Sequence, residues 1–230
     1  MEGLPLSGFQ KMLRAAIFDW DGVVVDSSAA HKESWERLAA ERDLPLPENH
    51  FERSFGKKNQ LIIPEIYGWS EDLDEIEQLG NRKEALYREI LVSTGLEPLP
   101  GALRLFAELK AAGIPMAVGT STPHLNIETV LPMIGASGFF GAVIAAEDVA
   151  RGKPDPEVFL KAASALGADP ADCVVFEDTL HGIEAALAGG MKAVALTTSH
   201  PESHFASSPP HAVVPDLSEV CLPFLRQLWG

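Results

Sequence analysis

A chain of 230 residues can bury a core of its own, or a medium core carrying a smaller insertion, without disulfide or metal staples. Its 33 acidic against 18 basic residues give a net charge of −15, which disfavours any broad grip on nucleic acid or an anionic membrane. An apolar fraction of 46% with 22% charged residues is ordinary for a soluble globular protein, and no apolar run approaches the roughly 20 residues that span a bilayer.

Met1 to Lys11 carries Glu2 and no continuous apolar block, so it is expected to be a loose leader rather than a secretory signal, with Met12 as a second candidate start. Short apolar runs then alternate with amphipathic stretches, which predicts an α/β fold: a Rossmann-like parallel sheet with helices on both faces. The first strand is expected over Leu13 to Phe18. From about Ser27 to Pro98 the alternation breaks, and helix candidates follow one another over Ala29 to Arg42, Asn59 to Tyr67 and Leu73 to Val92. Pro45, Pro47, Gly56, Gly68 and Trp69 mark the loops between them. Residues 27–97 are therefore expected to form an inserted all-helical domain, with residues 1–26 and 98–230 as the core.

Beyond the insertion, Ala102 to Ala112 reads as a helix closed by Gly113, and Met116 to Gly119 and Ala142 to Ala146 read as strands. Glu157 to Leu166 is a helix closed by Gly167, with Asp155 as N-cap and Pro156 in its first turn. Three more strands are expected at Cys173 to Phe176, Ala193 to Leu196 and Ala212 to Val214, with a surface loop over Ser199 to Pro210. Cys173 and Cys221 are too few for a disulfide framework, and a reducing cytoplasm is the expected location. No internal repeat is present.

Three of the strands run into polar residues: Phe18 into Asp19-Trp20-Asp21-Gly22, Gly119 into Thr120-Ser121-Thr122, and Phe176 into Glu177-Asp178. In an open parallel sheet ligands bind beyond the carboxyl ends of the strands, so these groups can converge although far apart in sequence. Each has an innocent reading. Asp-x-Asp-Gly is a common turn, Thr120 to Thr122 or Glu177 and Asp178 can cap the helices that follow, and Lys153 can be a solvated loop lysine. Their joint occurrence, in this order on this background, points to chemistry instead.

A phosphate monoester dianion repels an anionic nucleophile unless positive charge intervenes. Mg²⁺ takes hard oxygen ligands, which suits Asp19, Asp178 and a backbone carbonyl near Asp21, with Glu177 in direct or water-mediated support. Lys153 would add charge, and Thr120 and the Ser121 backbone would hold the non-bridging oxygens. Asp19 can attack to give an aspartyl phosphate, and Asp21 can serve as general acid and then base.

These four groups resemble the signature of the haloacid dehalogenase superfamily: Asp19 and Asp21 as its first motif, Thr120 as its second, Lys153 as its third, and Glu177 with Asp178 as its fourth. The match covers roughly Met12 to Thr198. The insertion resembles the helical cap of the β-phosphoglucomutase-like subgroup, which implies a lid over a small phosphorylated metabolite, with a sugar phosphate as the leading class. The resemblance also implies Mg²⁺ as cofactor and a monomer. In the cap and hinge it implies substrate contacts from Ser27, His31, Gly56, Asn59 and Lys83.

A phosphosugar mutase is the alternative within that subgroup. Asn59 falls where the mutase carries an arginine for the substrate's second phosphate, and losing that cation favours a phosphatase. Asp21 argues against a haloalkanoate dehalogenase, which expels halide and needs no leaving-group acid. A phosphonate hydrolase would require one of Lys57, Lys58 or Lys83 as a Schiff-base lysine. A non-catalytic module of the same fold is disfavoured by the intact set Asp19, Asp21, Lys153 and Asp178. His31 can also be an ordinary helix-face histidine, and His200 and His204 would have metal-ligand spacing only in a helix.

Overall fold

Six strands carry the apolar runs: β1 Ala15–Phe18, β2 Met116–Gly119, β3 Ala142–Ile144, β4 Cys173–Glu177, β5 Lys192–Leu196 and β6 Ala212–Val214. The computed structural model describes residues 12–54 and 57–230, so the expected leader and Gly56, expected as a substrate contact, lie outside the described residues. All neighbouring strands pair in parallel, in the order β3-β2-β1-β4-β5-β6. The α/β Rossmann-like fold expected from the alternation is the one observed.

Why β1 reads as an unbroken apolar run follows from its two covered faces. Ala16 and Phe18 enter one core cluster with Phe106, Val118 and Phe176, while Ala15 and Ile17 enter another with Phe159, Val175 and Ile183. Phe18 stacks on Phe176 with ring centroids 4.7 Å apart, fixing β1 against β4.

Between β1 and β2 lie α1 Ser28–Arg42, α2 His50–Ser54, α3 Asn59–Leu61, a π-helical stretch Ile62–Tyr67, α4 Leu73–Thr94 and α5 Ala102–Ala111. Among these, α1, the π-helical stretch and α4 share a core of their own, built from Trp35, Leu38, Ile62, Ile63, Tyr67, Ile76, Leu79 and Leu86. The chain leaves and re-enters the sheet at adjoining points: Val25 bridges Pro98, and Leu99 N–H donates to Val24 O at 2.8 Å. The single helix expected over Asn59 to Tyr67 is instead a short α-turn followed by the π-helical stretch. Pro64 lies inside that stretch and has no N–H to continue an α-helical ladder. α2 was not foreseen, being shorter than two helical turns.

The remaining helices are α6 His124–Met133, α7 Glu157–Ala165, α8 Leu180–Ala188 and α9 Leu222–Gln227. Helix α7 begins at Glu157 as expected, but Pro156 rather than Asp155 stands at its N-cap, while Asp155 Oδ1 accepts from Glu157 N–H at 3.0 Å. Among the described residues no helix is long and apolar enough to cross a membrane.

Candidate active site

The polar residues at the strand ends meet because β2, β1 and β4 are neighbours in the sheet. Asp19 N–H donates to Phe176 O, and Thr120 N–H to Ile144 O, each at 3.0 Å, so both residues extend the sheet by one position before the chain turns. Neither polar group caps a helix. α6 has Pro123 at its N-cap and no side-chain cap, and α8 is capped by Thr179, whose side chain accepts from Gly182 N–H. The capping roles open to Thr120–Thr122 and Glu177–Asp178 are thus taken by other residues or by none.

One carboxylate oxygen from each of Asp19, Glu177 and Asp178 lies within 4.8 Å of the others, and all three residues are buried. Lys153 Nζ donates to Asp19 Oδ1 at 2.7 Å and to Glu177 Oε1 at 2.6 Å. Glu177 Oε2 accepts from the backbone and hydroxyl of Thr179 at 2.7 and 2.9 Å. Asp178 differs: Ser199 hydrogen-bonds its Oδ2, while its buried Oδ1 has no partner. Burial, with Glu177 and Asp19 beside it, holds the Asp178 carboxyl well above the ordinary range. Burial likewise pushes Asp19 up to about 7 against the pull of Lys153, with Glu177 adding to the rise. Burial opposes the charge on Lys153, yet Asp19 and Glu177 keep its proton affinity raised.

Three buried carboxylates exceed what one lysine can neutralise, and one buried Asp178 oxygen has no hydrogen-bond partner. A hard divalent cation answers both facts, and the donor set is all oxygen. Because Glu177 already accepts three hydrogen bonds, Asp19 and Asp178 are the side chains free to bind such an ion directly.

Asp21 lies apart from this cluster. Its carboxylate accepts from the Ser27 hydroxyl and from Thr122 Oγ1, the latter at 2.5 Å, and His31 Nε2 stands 3.5 Å from its Oδ1. Burial alone would raise its pKa, but His31, Ser27 and Thr122 outweigh burial and leave it at about 2. Thr120, buried, accepts from Thr122 N–H at 3.1 Å, and Ser121 faces the same cavity.

That cavity, of about 720 Å³, lies between the strand ends and the helical segment. Lys83 Nζ sits 2.7 Å from His31 Nδ1 and 2.9 Å from Glu84 Oε1, and His31 stacks on Tyr87 at 4.1 Å. Asn59 faces the cavity but gives its amide to Glu84 Oε1 at 2.8 Å. Lys58 donates to the carbonyls of Ala146 and Val149 at 2.9 and 3.2 Å. Ser27 serves Asp21 rather than the open space, and Gly56 lies outside the described residues. Outside this region His200 and His204 stack at 4.0 Å about a single 3₁₀ turn, and His124 Nε2 contacts Asp148 Oδ2 at 2.6 Å.

Several working residues were not anticipated: Thr122 and Ser199 on the acids, Thr179 on Glu177, and Glu84, Arg88 and Asn126 between the helices. Thr122 carried a signal, standing two residues after Thr120, but its partner lies 101 residues away in the chain.

A family model described as haloacid dehalogenase-like hydrolase matches residues 13–190. The chain belongs to that family. This haloacid dehalogenase-like hydrolase is 35% identical over 216 residues to the chloroplastic 5-amino-6-(5-phospho-D-ribitylamino)uracil phosphatase of Arabidopsis thaliana. That alignment covers 93% of the hydrolase and 57% of the Arabidopsis protein, so the chain spans little more than half that relative's length. It is also 31% identical to the β-phosphoglucomutase of Bacillus subtilis, covering 94% of this chain and 96% of the mutase. Among solved structures, a haloacid dehalogenase hydrolase of Entamoeba histolytica superposes with a TM-score of 0.85 at 25% identity, over 94% of this chain and 99% of that one. The hydrolase therefore has both phosphatase and mutase relatives.

Proposed function

We propose that the chain is a Mg²⁺-dependent phosphohydrolase that cleaves a small phosphorylated metabolite, with sugar phosphates as the leading class, through an aspartyl phosphate on Asp19. One observation carries this reading: Asp19, Glu177 and Asp178 gather around Lys153 with one buried Asp178 oxygen left unpaired. Phosphatase relatives support the substrate class.

Asp19 and Asp178 would hold the metal, with the Asp21 backbone carbonyl completing the protein's share and Glu177 supporting through Lys153 and Thr179. Bound Mg²⁺ supplies the positive charge that lets a carboxylate approach a phosphate dianion. An Asp19 oxygen attacks phosphorus; the new O–P bond forms as the ester P–O bond breaks. Thr120, the Ser121 backbone and Lys153 hold the non-bridging oxygens. Asp21 gives its proton to the departing alcohol oxygen, then takes one from the water that attacks the aspartyl phosphate, releasing orthophosphate and restoring Asp19. Its three donors favour the carboxylate form of Asp21, the base of the second step; an arriving dianion raises its proton affinity for the first.

Residues 27–97 would act as the cap, since they carry their own core and join the sheet at the paired positions Val25 and Pro98. His31, Lys83 and Asn59 would face the leaving group. Phosphate release from p-nitrophenyl phosphate tests the reading: it should require Mg²⁺ and stop with a chelator. Full release in the chelator overturns the metal's role.

A further inference from the structure

Helix α4 meets helix α6 through a buried polar knot. Asn126 on α6 has no exposed surface and spends both ends of its amide on α4. Its Nδ2 donates to Glu84 Oε2 at 2.6 Å, and its Oδ1 accepts from Arg88 Nη1 at 2.7 Å. Glu84 and Arg88 stand four residues apart on one helix, the spacing at which opposite charges pair directly. If α4 lifts away, the two can bond to each other, so opening strands neither charge. Closed and open forms are then two satisfied arrangements of the same groups. That is the condition for a discrete switch rather than a soft deformation.

The knot reaches the chemistry through a short chain. Glu84 Oε1 accepts from Lys83 Nζ at 2.9 Å and from Asn59 Nδ2 at 2.8 Å. Lys83 Nζ lies 2.7 Å from His31 Nδ1, and His31 Nε2 lies 3.5 Å from Asp21 Oδ1. Where α4 rests on α6 thus sets where Lys83 and His31 stand above Asp21. The tie from Lys58 ends on backbone carbonyls and fixes no side-chain register of this kind.

We propose that Asn126 is a positioning residue, the catch on the sheet-bearing part of the molecule that holds residues 27–97 closed and aligns Lys83 and His31 with Asp21. The proposal rests on the phosphohydrolase reading of this site, in which the helical segment opens to admit substrate.

Small-angle X-ray scattering of the whole protein without substrate tests it, paired with KM for p-nitrophenyl phosphate. Four forms are compared: wild type, Asn126→Ala, Asn126→Asp, and Asn126→Asp combined with Glu84→Gln. The aspartate substitution sets a carboxylate against Glu84, and the added glutamine restores a donor there. Both single variants should keep wild-type circular dichroism, scatter with a larger radius of gyration, and raise KM roughly tenfold. kcat should change less, because saturating substrate can still close the segment. The double variant should recover the compact radius. Wild-type values for the single variants in either readout overturn the proposal, as does a double variant no more compact than Asn126→Asp. Scattering needs no turnover, so it decides the catch even if the wild type releases no phosphate, a result that would instead sink the phosphohydrolase reading.

Discussion

Gly22 and Asp178 approach so closely that a Cβ on Gly22 would lie 1.9 Å from Asp178 Oδ2. Gly22 also holds φ at +79°, a conformation that L side chains rarely adopt. Gly22→Ala should therefore cost roughly 1–3 kcal/mol of stability and, by displacing Asp178, lower kcat/KM for p-nitrophenyl phosphate at least ~100-fold. Thermal melts and steady-state kinetics on the purified variant check this. Wild-type kinetics would mean that Asp178 can shift without consequence.

Asp178 itself should behave as a group kept for the metal at the expense of the metal-free fold. Burial and its acidic neighbours disfavour its charge. Asp178→Asn should raise the melting temperature in chelator and abolish the rise that Mg²⁺ should produce in the wild type. Ligand linkage sets the stabilisation behind that rise at about 2.7 kcal/mol when the ion stands at 100 times its Kd. A variant that melts lower in chelator, or still responds to Mg²⁺, would contradict this assignment.

Glu84 offers a pH test away from the metal cluster. Burial would raise its pKa, but Lys83, His31, Asn59 and Asn126 outweigh burial and bring it from 4.5 to about 2. A depressed folded-state pKa means stability that is fully present above the ordinary value and lost as pH falls toward the folded one. Glu84→Gln should thus be less stable than wild type at pH 7, with the gap closing between pH 4.5 and about 2. Urea unfolding of both proteins across that range measures it; a gap independent of pH would remove the charged pairing from the account.

The mutase relative calls for a direct comparison. A mutase must hold a bisphosphate by both ends, and here Asn59 spends its amide on Glu84 while Lys83 pairs with Glu84 and His31. Incubation with β-glucose 1-phosphate and a catalytic amount of the bisphosphate should give no glucose 6-phosphate. Its appearance by coupled assay would favour the mutase reading.

How much of this was legible in the sequence depended on the range of the interaction. β1 announced itself because both its faces are covered, so every residue from Ala15 to Phe18 is apolar. Asp19, Thr120 and Asp178 were legible because the carboxyl ends of parallel strands are where such a sheet binds its ligands. Asn126, Glu84 and Arg88 were not, since nothing local to α4 or α6 marks an amide that will meet a carboxylate 42 residues away. Thr122 looked like a capping residue because a hydroxyl before a helix serves either purpose until its acceptor is known. The π-helical stretch was hidden by its own apolar pattern, which fits an α-helix equally well.

Covalent trapping on Asp19 tests the central claim most directly. A substrate carrying radiolabelled phosphate is mixed with the protein and Mg²⁺, quenched in acid within one turnover, and digested. The label should be found on the peptide that contains Asp19, and both label and phosphate release should vanish in Asp19→Asn. Sustained release by that variant, or a label on another residue, would contradict the account.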